Sequence, residues 1–281
     1  MFARSSLRTA LNAQMPSIAI GVHDPLSARL ATWHGFDCLH IGSFGLASRL
    51  VVPDVGLLDL TEILASVTDI AACVDVPLIV DAEDGFHEPA GIARAVARLE
   101  RAGAAAIHIE DHVSGKHSSG PRRVAPLPHM LARIRAALDA RVDSELVIIA
   151  RTDIGWATQD AEQALERMRA FADAGADAVM PTGLSLDMLR KIRRQISVPV
   201  IAISEGEELS VTAEDKVVDL WIHHDICIRA AANGVSSALA NLANRVHAAR
   251  SNSHHPSLET LVPYGEFSQR HNRYNADGCK S

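Results

Sequence analysis

The sequence predicts an α/β protein: a (β/α)8 barrel of the TIM type, preceded by an N-terminal helix and followed by a helical extension. Three observations carry that expectation. Eight short apolar runs, rich in Val, Ile and Ala, alternate with longer segments of helical period. The runs are apolar at nearly every position, as strands covered on both faces are. One helix-to-strand turn is written twice, as AGA-x-A at 102–106 and again at 174–178.

The opening "MFARSSLRTALNAQMPS" (1–17) is mildly amphipathic, lacks the apolar core of a signal peptide and reads as a surface helix. Strands are expected at "SIAIG" (17–21), "DCLHIG" (37–42), "PLIVDA" (77–82), "AAIHIED" (105–111), "LVIIART" (146–152), "DAVMPT" (177–182), "VPVIAIS" (198–204) and "DLWIHH" (219–224). Between them, 88–104 and 160–176 form helices that stop at Gly103 and Gly175, and 185–197 forms another. An open doubly wound sheet would call for a Gly-rich phosphate loop after its first strand. The chain has "GVHDPLSARL" there instead. Residues 1–250 are therefore assigned to the barrel. Residues 251–281 are read as a linker (251–257), a short helix and a frayed tail, too small for a core of their own. They are expected to dock on the barrel or on a neighbouring subunit.

Composition narrows the partners. A net charge of −7 without a long basic run argues against nucleic acid and anionic membrane surfaces. No apolar run reaches the roughly 18 residues of a membrane span. Cys38, Cys73, Cys227 and Cys279 show no CxxC pairing, which suggests reduced thiols in a cytoplasmic protein.

A barrel of this kind works at the carboxyl ends of its strands. Those ends carry Gly42 and Ser43; Asp81 and Glu83; His108, Glu110 and Asp111; Arg151 and Asp153; Thr182; Ser204 and Glu205. Three adjacent strands thus bring at least three carboxylates and an arginine to one rim. Carboxylates that close raise one another's pKa unless a cation intervenes. Mg²⁺ suits such a set and leaves positions for substrate oxygens. Arg151 offers a fork for a substrate carboxylate or phosphonate. The alternative is structural: the acids cap helices, and Arg151 pairs with one of them. "VSGKHSSGPRRVAP" (113–126) reads as a loop that could fold Lys116, Ser118 and Ser119 over an anion, or as a plain solvated loop. The pairs His223–His224 and His254–His255 are read as packing and surface residues, because strand neighbours face opposite ways.

Taken together, these segments resemble the phosphoenolpyruvate mutase and isocitrate lyase superfamily over most of the chain. "GVHDPLSARLATWHGFDCLHIGS" (21–43) looks like its first βα unit, and "VPDVGLL" (52–58) like its segment bearing an acid, here Asp54. "DAEDGFH" (81–87) resembles the D-x-D-x-G-[FY]-G metal motif, "HIEDH" (108–112) the E-D signature, "IARTD" (149–153) the arginine strand and 228–239 the post-barrel helix. The resemblance implies a pyruvate-like enolate and bound Mg²⁺, with Mn²⁺ as its substitute. It makes Asp81 the direct metal ligand, Glu83 and Glu110 ligands through water, and Asp54 their neighbour. It gives the substrate carboxylate to the backbone of Gly42, Ser43 and Phe44, and the transferred group to Arg151. It also implies a homodimer or homotetramer that exchanges the post-barrel helix.

The lyases carry K-[KR]-C-G-H, but no Cys lies between Cys73 and Cys227. From Glu110 the chain reads E-D-H-V-S-G-K-H-S-S, which matches the mutases' Lys and final Ser at Lys116 and Ser119 and places Ser118 where they have Asn. Phosphonopyruvate hydrolases share that pattern. Glu83 replaces an Asp, His87 replaces a Gly, and "MPTG" (180–183) follows neither branch. The expected activity is phosphonopyruvate hydrolase or mutase-like chemistry on a small anionic 2-oxo acid, with Lys116, Ser118, Ser119, Asp54 and Arg151 as catalytic residues. The rivals are a carbon–carbon lyase or oxaloacetate-type decarboxylase, and an inactive barrel kept as a binding or scaffold protein.

Overall fold

A computed structural model describes residues 2–86, 89–113, 122–204, 216–246 and 256–278. Eight strands form one parallel sheet: β1 (Ser17–Gly21), β2 (Leu39–Ile41), β3 (Leu78–Asp81), β4 (Ala106–Glu110), β5 (Val147–Thr152), β6 (Ala178–Pro181), β7 (Ile201–Ile203) and β8 (Leu220–His223). The helices are α1 (Phe2–Leu11), α2 (Pro25–Trp33), α3 (Ser43–Arg49), α4 (Leu60–Ala71), α5 (Pro89–Ala102), α6 (Leu127–Ala140), α7 (Ile154–Thr158), α8 (Ala161–Asp173), α9 (Leu186–Ile192), α10 (Ile226–Val246), α11 (Leu258–Leu261) and α12 (Tyr264–Gly278). The strand order runs β6-β5-β4-β3-β2-β1-β8-β7. A parallel bridge between Val179 and Val200 brings the two edges together, so the sheet closes into the expected (β/α)8 barrel.

Strand alternation divides the core in two. Leu78 and Val80, Ile107 and Ile109, and Ile148 and Ala150 face the surrounding helices. Their neighbours Ile79, Ala106, Val147, Ile149, Ala178, Met180, Ile201 and Ile222 fill the barrel. The same period of two then places Asp81, His108, Glu110 and Arg151 above that apolar layer, at the carboxyl ends of β3, β4 and β5. The active rim follows directly from the strand period once one apolar layer is fixed.

Local signals set the helix starts. Asp24 caps α2 through a reciprocal box with Ser27, with Pro25 at the first position, and Asp59 caps α4 through a box with Glu62. No described helix is long and apolar enough to cross a membrane.

Two expectations need correction. The N-terminal helix is a surface element on one face only: Ser5, Ser6 and Thr9 are exposed, while the opposite face is a plug. Leu7 and Leu11 of α1 are buried against Ala19, Val147 and Leu220, closing the amino end of the barrel. Arg4 and Arg8 fix α1 there, through Asp143 at 2.7 Å and Asp177 at 3.1 Å. The frayed tail is instead the 15-residue helix α12, whose Tyr264 reaches the rim. Its polar sequence hid it.

Candidate active site

Asp81 is placed by its own strand and by α3. Its Oδ2 accepts from Ser43 Oγ at 3.0 Å and from Ser43 N at 3.3 Å, and its Oδ1 accepts from Glu83 N at 2.9 Å. Gly42 is needed for this approach, since a Cβ there would strike the His40 ring. Glu83 sits in the left-handed region at φ 50, a conformation costing on the order of 1 kcal/mol in a non-glycine residue. Its carbonyl accepts from Glu110 N at 2.8 Å, which ties the turn to β4. As a result, one carboxylate oxygen each from Asp81, Glu83 and Glu110 lies within 4.8 Å of the others, and all three residues are buried. At that separation like charges repel by roughly 3 kcal/mol per pair in an effective dielectric of about 20.

Arg151 stands beside this cluster. Its Nη1 pairs with Glu110 Oε2 at 2.9 Å, and its Nε donates to Asp153 Oδ1 at 2.9 Å. Burial opposes the charge of Arg151, but Asp153, Glu110 and Asp81 outweigh it and hold its pKa well above the usual arginine value. Burial would likewise raise Asp153. Arg151, then His112 and Thr182, overcome it and hold Asp153 well below the carboxylate range. Thr182, where the chain departs from both branches of its resemblance, donates to Asp153 Oδ1 at 2.6 Å. It therefore serves the arginine's partner.

Two imidazoles lie beneath. His40 and His108 meet Nε2 to Nε2 at 3.0 Å with stacked rings, and His108 Nδ1 is 3.6 Å from Asp81 Oδ1. Burial first, and His108 second, hold His40 well below the ordinary histidine pKa.

Asp111, expected among the rim carboxylates, is not part of the site. It projects from the other face of β4, fully buried, and accepts from Arg167 Nε at 2.7 Å, Thr152 Oγ1 at 2.6 Å and Asp153 N at 2.9 Å. The strand period was the available signal, because Glu110 and Asp111 must face opposite ways. Asp84 turns outward, 3.6 Å from Arg133.

Gly42, Ser43, Phe44, Asp54, Asp81 and Arg151 line one cavity of about 730 Å³. Glu83 and Glu110 line a second cavity of about 560 Å³, so the carboxylate cluster sits where the two meet. Asp54 is held from the C-terminal segment, its N–H donating to Tyr264 Oη at 3.3 Å. Lys116, Ser118, Ser119 and His87 lie outside the described residues. Sequence reasoning missed Arg122, Trp156, Arg229 and Tyr264, all of which line the larger cavity. His224, read as a packing residue, does pack edge-on against Phe44, at the cavity wall.

The model of one family, phosphoenolpyruvate phosphomutase, matches residues 7–243. The chain belongs to the phosphoenolpyruvate mutase and isocitrate lyase superfamily. It is 34% identical over 292 residues to a probable 2-methylisocitrate lyase of Corynebacterium glutamicum, a match covering 99% of this chain and 94% of the relative. Among solved structures it resembles the phosphoenolpyruvate phosphomutase of Streptomyces platensis subsp. rosaceus, with a TM-score of 0.81 and 27% identity over 98% of this chain and 99% of that one. It also resembles a phosphonopyruvate hydrolase solved with oxalate and Mg²⁺, with a TM-score of 0.80 and 26% identity over 98% and 99% of the two chains. The donor set is oxygen only, compact and buried, and so fits a hard divalent cation.

Proposed function

We propose that this superfamily enzyme uses Mg²⁺ to cleave or rearrange the bond to C3 of a small 2-oxo acid bearing a second anionic group there. The observation that carries this reading is the buried Asp81–Glu83–Glu110 cluster opening on a 730 Å³ cavity that also holds Arg151. Asp81, Glu83 and Glu110 hold Mg²⁺, or Mn²⁺ in its place. The bound cation supplies Lewis-acid stabilisation of the negative charge that develops on the 2-oxo oxygen.

The protein's own groups do the rest. Ser43 fixes the Asp81 carboxylate, and the backbone of Gly42 to Phe44 faces the cavity where the substrate carboxylate binds. Arg151, held between Glu110 and Asp153, lines the same cavity and would present its fork to a substrate oxygen there. Asp54, held by Tyr264, lies beside this substrate volume. Lys116, Ser118 and Ser119 are assigned to the departing group from their sequence pattern alone. The protein acts in the cytoplasm as a homodimer or homotetramer.

Phosphonopyruvate is the first substrate to test, since the chain has no Cys between Cys73 and Cys227 to serve as the lyases' proton donor. Incubation with Mg²⁺ and phosphonopyruvate should release pyruvate and phosphate, or form phosphoenolpyruvate in the mutase case. A second reading, carbon–carbon cleavage, is favoured by the near full-length match to a probable 2-methylisocitrate lyase. Pyruvate formed from 2-methylisocitrate or oxaloacetate, with nothing formed from phosphonopyruvate, would overturn the first choice in its favour. An inactive barrel would show no shift in melting temperature with Mg²⁺ and oxalate.

A further inference from the structure

Among the described residues, three arginines line the larger cavity, and two of them are committed. Arg151 is shared between Glu110 and Asp153. Arg229 pairs with Asp225 and with Glu259. Arg122 differs. Among the described residues no carboxylate lies within ion-pair distance of it, and its Nη1 is buried without a hydrogen-bond acceptor. Its guanidinium instead lies over the indole of Trp156, 4.5 Å from the ring centroid, while Arg151 approaches the same ring at 5.6 Å.

Burying a guanidinium N–H with no protein acceptor is costly, and a water or a ligand completes it. The indole face orients the plane of the fork and offsets part of its desolvation. That fork matches a carboxylate or a phosphonate with two parallel bonds. The cavity, about 730 Å³, also far exceeds what a three-carbon 2-oxo acid fills, leaving room for a further group in a space that Arg122 lines.

We propose that Arg122, seated on Trp156, is the specificity-determining residue for the anionic group on C3 of the substrate. The proposal rests on the reading of the barrel as a 2-oxo acid enzyme and sharpens it. Arg151 serves the reacting centre beside the carboxylate cluster, and Arg122 selects what C3 carries.

The test compares ligands with and without an anionic group on C3. Oxalate, a two-carbon dianion, has no C3; 3,3-difluorooxaloacetate carries a carboxylate there and 3-sulfopyruvate a tetrahedral oxyanion. Each is titrated by calorimetry, with saturating Mg²⁺, into the full chain and into Arg122→Gln and Arg122→Lys. Arg122→Gln should keep its oxalate affinity within about twofold and lose about 10- to 100-fold for at least one C3 anion. Arg122→Lys should recover part of that loss, and the anion more affected identifies the preferred group. Equal losses for oxalate and both anions would mean a merely structural role and overturn the proposal, as would unchanged affinity for all three. If the unmodified chain binds no oxalate with Mg²⁺, the 2-oxo acid reading itself fails and the proposal falls with it. That outcome is distinct from failure of Arg122 in a chain that binds oxalate.

Discussion

Replacing Arg167 by Met tests the buried network that anchors the site from behind. Asp111 is fully buried and has three donors, of which Arg167 Nε at 2.7 Å is the charged one. Arg167 also donates through Nη2 to Ala125 O at 2.9 Å. The substitution therefore removes a charge-assisted bond and a second bond, and leaves a carboxylate uncompensated in the interior. Removing one partner of a buried pair costs about 3–5 kcal/mol. Burial already outweighs Arg167 and raises the Asp111 pKa; losing the arginine raises it further, which makes protonation easier and puts the cost at the lower end. For a chain of this size that corresponds to a fall in melting temperature on the order of 10 °C. The double variant Asp111→Asn, Arg167→Met should recover at least about 1 kcal/mol of the summed single losses. Urea unfolding of the four proteins reads both quantities. A loss below about 1 kcal/mol for Arg167→Met, or strict additivity, would refute the reasoning.

Three further outcomes are expected. Ser43→Ala removes the hydroxyl donor to Asp81 and should weaken Mg²⁺ binding by about 10-fold, measured by calorimetry, with the melting temperature of the metal-free protein little changed. His40 stays neutral in the fold because its pKa is held down, so the unfolded chain takes up the extra proton as pH falls below about 6.5. Stability present above that pH is lost on acidification, by at most about 1.4 kcal/mol per pH unit from this group. His40→Gln should flatten the stability profile between about pH 6.5 and 5 by that amount, and an unchanged slope would count against it. On α10, Val235, Leu239, Leu242 and Val246 form an exposed apolar stripe at helical spacing. Light scattering should show a dimer or tetramer that Leu239→Glu dissociates; a monomeric unmodified chain would contradict this.

The barrel was legible because its strands are apolar on both faces, so each run announces itself without its partners. Asp81, Glu83 and Glu110 were legible because strand ends and the resemblance pointed to the same rim. The α1 plug was not, since an amphipathic pattern does not tell whether its apolar side meets a barrel mouth or a surface groove. Asp111 was misplaced by counting acids along the chain without applying the strand period that turns it away from Glu110. Arg122 lies in the segment read as a loop, 113–126, and nothing in that pattern marked it. Its proposed role depends on Trp156, which is distant in sequence and reaches the cavity only once α7 follows β5.

The most direct test of the central claim is calorimetric titration of oxalate into the unmodified chain and into Asp81→Asn, each with Mg²⁺ and with EDTA. Saturable binding should require Mg²⁺ and should vanish in Asp81→Asn without loss of fold. Oxalate binding that is indifferent to Mg²⁺, or an Asp81→Asn protein that binds like the unmodified chain, would show that the three buried carboxylates are not the metal centre of this enzyme.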